Sequence, residues 1–95
     1  MNRELESKLQ KRIQGYLKSI GAYCFKIHGD IFTRAGIPDI VCCYQGRFIG
    51  IEAKEPGNKP SELQLAHGRQ IVKSGGLFIV AYSLEDVQNL IENNF

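Results

Sequence analysis

Ninety-five residues, 43% of them apolar, suffice for one globular domain and are too apolar for a disordered segment. No apolar run nears the roughly 20 residues that cross a bilayer, and the charged, amphipathic start MNRELESKLQKR is unlike a secretion signal, so the chain is expected in a cytoplasm, away from membranes. A net charge of +2 permits a nucleic-acid partner without demanding one, because binding depends on where the charges cluster.

The first helix is expected from about Arg3 to Ile20, where Leu5, Leu9, Ile13, Tyr16, Leu17 and Ile20 recur at three- and four-residue steps as one apolar stripe. Gly21 is placed to end it in a left-handed cap. AYCFKIH reads as a first strand, and residues 29–36, with glycine at both ends, as a loop. Pro38 to Lys54 reads as a β-hairpin turning at Gln45-Gly46. EPGNKP breaks the pattern; Ser61 with Gln64 three positions on has capping-box spacing for a second helix, which stops at Gly75-Gly76. LFIVAY is a fourth strand, and Ser83 with Asp86 opens a final helix. The order α-β-β-β-α-β-α makes 1–95 a single α/β domain, a mixed sheet flanked by helices. Cys24, Cys42 and Cys43 fall in strand-like stretches and read as small buried apolar residues. Adjacent Cys42 and Cys43 would face opposite sides of the sheet, which argues against a disulfide or a zinc site between them.

The hairpin carries the chemistry. With Gln45-Gly46 as a two-residue loop, Tyr44 faces Arg47, and carrying the pairing back sets Asp39 directly opposite Glu52, with Cβ atoms about 5 Å apart. Two facing carboxylates destabilise a hairpin unless a cation sits between them or one stays protonated. Oxygen ligands at this separation suit Mg²⁺ or Mn²⁺, which keep several waters and accept substrate phosphate. Alternation sets Lys54 on the same face as Glu52, where an ammonium can hold a water or offset charge building on a phosphate. The plainer account is an exposed Glu-Lys ion pair with Asp39 as a turn residue. The surrounding FIGIEA is apolar on both faces, which favours burial of Glu52 and the functional account.

At 100° per residue, Glu6 lies on the edge of the first helix's apolar stripe, in phase with Leu9, Ile13 and Leu17, whereas Glu4 points away with Lys8 and Lys11. Glu6 is thus a further inward carboxylate, unless it only favours the helix N-terminus through the dipole. Lys26, Thr33 and Arg34 surround the loop leading into Asp39 and are candidates for phosphate contacts. Phe48 and Tyr44 flank the hairpin turn on opposite faces, where part-exposed aromatics point to a subunit interface.

GIPDIVCCYQGRFIGIEAK, with a glutamate helix before it and a glutamine after it, resembles the PD-(D/E)-x-K nuclease superfamily, and within it the stand-alone VRR-NUC domains of phages. The likeness runs from about Glu6 to Val87. It implies a restriction-endonuclease-like core and a Mg²⁺- or Mn²⁺-dependent endonuclease. Asp39 and Glu52 match the metal-binding acids, Lys54 the catalytic lysine, the Ala53 carbonyl a further metal ligand, Glu6 the helix-borne glutamate, and Gln64 the glutamine that opens the following helix. Gln64 has a competing structural role in the capping box with Ser61. The family is similar to Holliday-junction resolvases, which implies a homodimer acting on branched DNA in a bacterial or phage-infected cell. The alternative is a non-catalytic nucleic-acid-binding subunit that keeps the fold.

Overall fold

In the computed structural model, which describes residues 3–28 and 35–95, the element order is the one the sequence predicts. Helix α1 (Arg3–Ser19) leads to strand β1 (Tyr23–Lys26), the hairpin β2 (Ile40–Tyr44) and β3 (Arg47–Ala53), helix α2 (Glu62–Lys73), strand β4 (Leu77–Ala81) and helix α3 (Leu84–Asn94). Helix α1 ends as Gly21 foretells: the Ala22 N–H reaches the Leu17 carbonyl at 2.9 Å and the Gly21 N–H the Lys18 carbonyl at 3.1 Å, a Schellman closure. Helices α2 and α3 both begin on complete capping boxes, Ser61 with Gln64 and Ser83 with Asp86.

The sheet order is β1-β2-β3-β4. The first three strands are antiparallel, and β4 joins β3 in parallel through the α2 crossover, so the sheet is mixed. Gln45 (φ 49°) and Gly46 (φ 78°) are both left-handed, as a type I′ hairpin turn requires, although glutamine is an unusual occupant of its first position. The turn sets Tyr44 against Arg47 and holds that register down to Ile40 against Ile51.

Strand β3 is buried continuously from Ile49 to Ala53, because both of its faces are covered. One face joins Leu9, Ile13 and Leu17 of α1 and Val87 and Ile91 of α3 in the main core with Ile40, Ile49 and Ile51. The other lies under α2, where Pro38 and Ile71 press on Gly50: an added Cβ there would stand 3.0 Å from Pro38 Cγ and 2.9 Å from Ile71 Cδ1.

Some sequence expectations need correction. Leu5, assigned to the apolar stripe, is 49% exposed, since that turn of α1 is not covered by the sheet. Cys43 is exposed, whereas Cys24 and Cys42 are buried as expected. Cys43 stands between Tyr23 on β1 and Phe48 on β3 across the antiparallel strands, on a face that α2 leaves open. Burial pushes the Cys42 thiol up to about 12, so it stays protonated and inert. Tyr44 is half-buried, its ring edge-on to Phe95 at 4.9 Å, while Phe48 on the opposite face is 47% exposed.

Candidate active site

The site lies at the end of the sheet where β2 begins and β3 finishes. Gly36 holds φ +85° against the first turn of α2, and a Cβ there would fall 2.7 Å from Leu63 Cγ and 2.9 Å from the Leu63 carbonyl oxygen. Only glycine accepts both the conformation and the approach. Pro38 is buried on Gly50, so the chain enters β2 with little freedom at Asp39. The Asp39 carbonyl accepts from the Ile27 N–H at 2.8 Å, and its carboxylate Oδ2 accepts from the Ala53 N–H at 3.0 Å. The Asp39 side chain is therefore fixed across the gap to β3. Because one residue's N–H and C=O share a side of an extended strand, the Ala53 carbonyl is turned toward Asp39 as well.

Glu52 follows Ile51 by one residue and meets Asp39 as the hairpin register requires, the two carboxyl groups lying within hydrogen-bonding reach. Its side chain is 1% exposed, and Oε2 has no hydrogen-bond partner among the described residues. Burial, then the contact with Asp39 and the charges of Asp39 and Glu6, push the Glu52 carboxyl up to about 9, against a smaller downward pull from Lys54. Without a further positive charge, Glu52 is a neutral acid at pH 7.

Lys54 lies one residue beyond β3, half-buried, its N–H bonded to the Ala81 carbonyl at 2.9 Å, with its ammonium close enough to act on Glu52. Glu6 is half-buried, and its Oε2 likewise has no partner among the described residues. One helical turn along the same face, Gln10 is 7% exposed, its Oε1 without a partner among the described residues. Gln10 is the residue that the sequence reading missed. Its signal was there: Gln10 stands in phase with Glu6, Ile13 and Leu17, a polar side chain inside the apolar stripe.

The Glu52 and Glu6 oxygens, buried within reach of each other's charge and without partners among the described residues, are costly as they stand, since each is desolvated without compensation. They are what a cation would satisfy. Among the described residues, no three His, Cys, Asp or Glu side chains close up as a ready-made ligand set. A hydrated Mg²⁺ or Mn²⁺ needs only one or two carboxylates beside its waters, and the Asp39–Glu52 pair with the Ala53 carbonyl meets that need. The donors are all hard oxygens, which fits these ions.

The other candidate residues are more dispersed. Gln64 is held in the capping box, its Oε1 accepting from the Ser61 N–H at 2.8 Å, which leaves only its amide NH₂ to act elsewhere. Lys26 closes β1 opposite Ile40, beside Asp39 in the sheet. Thr33 and Arg34 lie outside the described residues.

No family model matches the chain. Over 87 residues, 90% of each chain, it is 29% identical to a protein of Acyrthosiphon pisum secondary endosymbiont phage 1 named "Putative nuclease p44". Among solved structures it is similar to a "VRR_NUC domain", with a TM-score of 0.79 and 26% identity over 96% of this chain and 98% of that one.

Proposed function

We propose, from the premise that this chain is a member of the VRR-NUC family, that it is a metal-dependent endonuclease hydrolysing DNA phosphodiester bonds, with residues 1–95 acting as one nuclease domain. The observation that carries this reading is the buried Glu52 carboxyl against Asp39, with oxygens on Glu52 and Glu6 that have no partner among the described residues. A structural role alone gives no reason for the Glu52 and Glu6 carboxyls to be buried within reach of each other's charge, each with an oxygen that has no partner among the described residues.

Asp39, Glu52, the Ala53 carbonyl and Glu6 are the groups that would hold Mg²⁺ or Mn²⁺, which when bound supplies positive charge to the scissile phosphate and acidifies a water. The chain's own residues do the rest. The Ala53 N–H keeps the Asp39 carboxylate aimed into the site. Glu52 gives up its proton to solvent before it can act as a ligand. Lys54 donates to the attacking water and offsets the charge that develops on the phosphate oxygens, the more effectively for being half-buried. Gln64 serves as a donor near the entering strand through its amide NH₂, and Lys26, Thr33 and Arg34 contact phosphates without reading sequence.

Branched DNA such as a Holliday junction is the inferred substrate, and a homodimer the inferred assembly, because cutting paired strands calls for two sites related by a two-fold axis. The open sheet face fits the second copy. Tyr23 (73% exposed), Phe25 (46%) and Phe48 (47%) stand there around Cys43, an aromatic patch left open among the described residues. No helix among the described residues is long and apolar enough to cross a membrane, and a cytoplasmic setting, where the DNA is, follows from the proposed activity.

The test is cleavage of end-labelled junction, flap and duplex DNA with Mg²⁺ or Mn²⁺. Wild type should cut, and Glu52→Ala and Lys54→Ala should each lose at least about 100-fold in rate, as expected when a metal ligand or a charge-stabilising donor is removed. Equal cutting by all three refutes the assignment. Tight binding without cutting by wild type makes the chain a non-catalytic DNA-binding subunit.

A further inference from the structure

Beside the acidic site, where α1 runs past the end of β3, lies a cavity of about 340 Å³. Leu5, Lys8 and Arg12 of α1 form one wall, and Lys54, Pro56 and Tyr82, from the segments that follow β3 and β4, form the other. Lys54 belongs to both places, lining this cavity while its charge acts on Glu52. The cavity therefore begins one side chain away from where the cleaved bond would lie.

Its far wall is built before any ligand arrives. The Asn58 N–H donates to the Glu55 carbonyl at 3.0 Å, closing Glu55-Pro56-Gly57-Asn58 as a β-turn with Gly57 at φ +92°. Proline second and a left-handed glycine third are the marks of a type II turn. The Tyr82 hydroxyl donates to the Asn58 carbonyl of that turn at 3.0 Å, and the Tyr82 N–H donates to Asp86 Oδ2 at 2.8 Å. The ring is thus pinned to the turn while 39% exposed. Across from it stands Leu5, also half-exposed, at a helix position whose periodicity calls for burial.

The composition of the cavity selects a ligand. Among the described residues lining it, Lys8, Arg12 and Lys54 outnumber the one carboxylate, Glu55, so the space favours an anion. Lys8 and Arg12 are one turn apart, about 6 Å along one helix face, which suits successive phosphates of one strand. A fixed aromatic ring beside apolar side chains suits a base, which stacks on it by its π-face whatever its identity. A volume near the lower end of the roughly 300–1,000 Å³ range of small-ligand sites admits one nucleotide, not a stacked pair.

We propose that this cavity is a subsite for an unpaired nucleotide next to the cleaved bond, with its two flanking phosphates on Lys8 and Arg12 and its base between Tyr82 and Leu5. The inference rests on the nuclease reading and gives it a basis for structure selectivity. A base inside a duplex stays in its stack, whereas one at a flap, fork or junction is free to enter.

The test is fluorescence anisotropy without metal, in EDTA, at several salt concentrations, comparing a flush duplex with the same duplex carrying a three-nucleotide single-stranded tail. Wild type should bind the tailed duplex more tightly. Tyr82→Ala should weaken that complex by about 5- to 150-fold, the loss of one stacked base, and leave the flush duplex unchanged. Tyr82→Phe, which keeps the ring, should retain most of the preference. The Lys8→Ala/Arg12→Ala double variant should weaken both complexes and reduce the slope of log K against log salt by about 2. Thermal melting of each variant checks that it is folded. The subsite is overturned if wild type shows no tail preference, if Tyr82→Ala and Tyr82→Phe fall equally, or if the salt slope of the double variant is unaltered. Because binding is read without metal, a chain that prefers tails but never cuts keeps the subsite and loses the nuclease reading; one that cuts without any tail preference does the reverse.

Discussion

Replacing Glu52 with glutamine should make the metal-free protein more stable, and increasingly so as pH rises. The glutamate carboxyl goes from an ordinary value near 4.5 in the unfolded chain to about 9 in the folded one, chiefly through burial. Between those values the folded state holds one more proton than the unfolded state, so stability falls by about 1.4 kcal/mol per pH unit. The contribution is complete below pH 4.5, where both states are protonated, and is lost as pH climbs toward 9. From pH 5 to pH 7 the loss is about 3 kcal/mol, a large part of the roughly 5–15 kcal/mol that holds a small domain together. Glu52→Gln keeps the shape and stays neutral, so it escapes this loss. Urea unfolding in EDTA, followed by far-UV circular dichroism at pH 5, 6 and 7, should give similar stabilities at pH 5 and a variant about 3 kcal/mol more stable at pH 7. Saturating Mn²⁺ should then narrow or reverse the order, because a ligand at 100 times its Kd adds about 2.7 kcal/mol to the form that binds it. Parallel pH profiles for the two proteins would refute the placement of Glu52 as a buried, uncompensated acid.

Other outcomes follow from the same geometry. Mn²⁺ binding at pH 7 should release about one proton, since Glu52 must ionise to act as a ligand; calorimetry in buffers of different ionisation enthalpy reads this directly, and buffer-independent heats would contradict it. Gln64→Glu keeps the acceptor that caps α2 but removes the amide N–H, so it should melt like wild type and cleave about tenfold more slowly; an unchanged rate would leave Gln64 as a cap alone. Gly36→Ala meets both a left-handed φ and the Leu63 carbonyl, and should lower stability by about 1–3 kcal/mol and cleavage along with it, measured by urea unfolding and gel assay. Combining Tyr23→Ser with Phe48→Ser should turn a dimer into a monomer by light scattering without lowering the melting temperature of the domain, since both rings are exposed in the protomer.

The acidic pair was legible because strand geometry is so constrained. With Gln45-Gly46 as a two-residue loop, a period of two leaves no choice but to set Asp39 against Glu52, and the left-handed angles at both turn residues supply the geometry that loop needs. The burial of Glu52 was legible from FIGIEA, apolar on both faces, since only a strand covered on both sides reads that way. What escaped was governed by the boundaries of cover, which periodicity does not encode. Leu5 fits the helix stripe, but α1 overruns the sheet at that turn and leaves it at a cavity mouth. Cys43 fits a strand, but α2 covers only part of that face. Gln10 is the opposite case: its phase with Glu6, Ile13 and Leu17 marks it as inward, but its polar side chain matches the edge of an amphipathic stripe.

The balance of charge at the sheet end bears on why a cation belongs there at all. Glu6, Asp39 and Glu52 bring three carboxyl groups, and among the described residues Lys54 is the one cation whose charge favours the ionised form of Glu52. That ammonium falls short, because the net effect of burial and of the neighbouring acids still lifts Glu52 to about 9. A fold selected for stability alone would relieve this by exposing Glu52 or replacing it with an apolar residue of similar size. Instead Gly36, Pro38 and the Ala53 N–H hold the acids together at the mouth of a rigid core. The deficit is a divalent one when all three acids ionise, distributed over hard oxygens, and it grows as pH rises toward 9, where Glu52 loses its proton. A monovalent ion would relieve it weakly, and a soft metal would find no sulfur or imidazole among these donors. The same groups that make the metal-free domain less stable at pH 7 are therefore those that make it bind Mg²⁺ or Mn²⁺, and the two measurements should rise and fall together across variants of Glu52, Asp39 and Glu6.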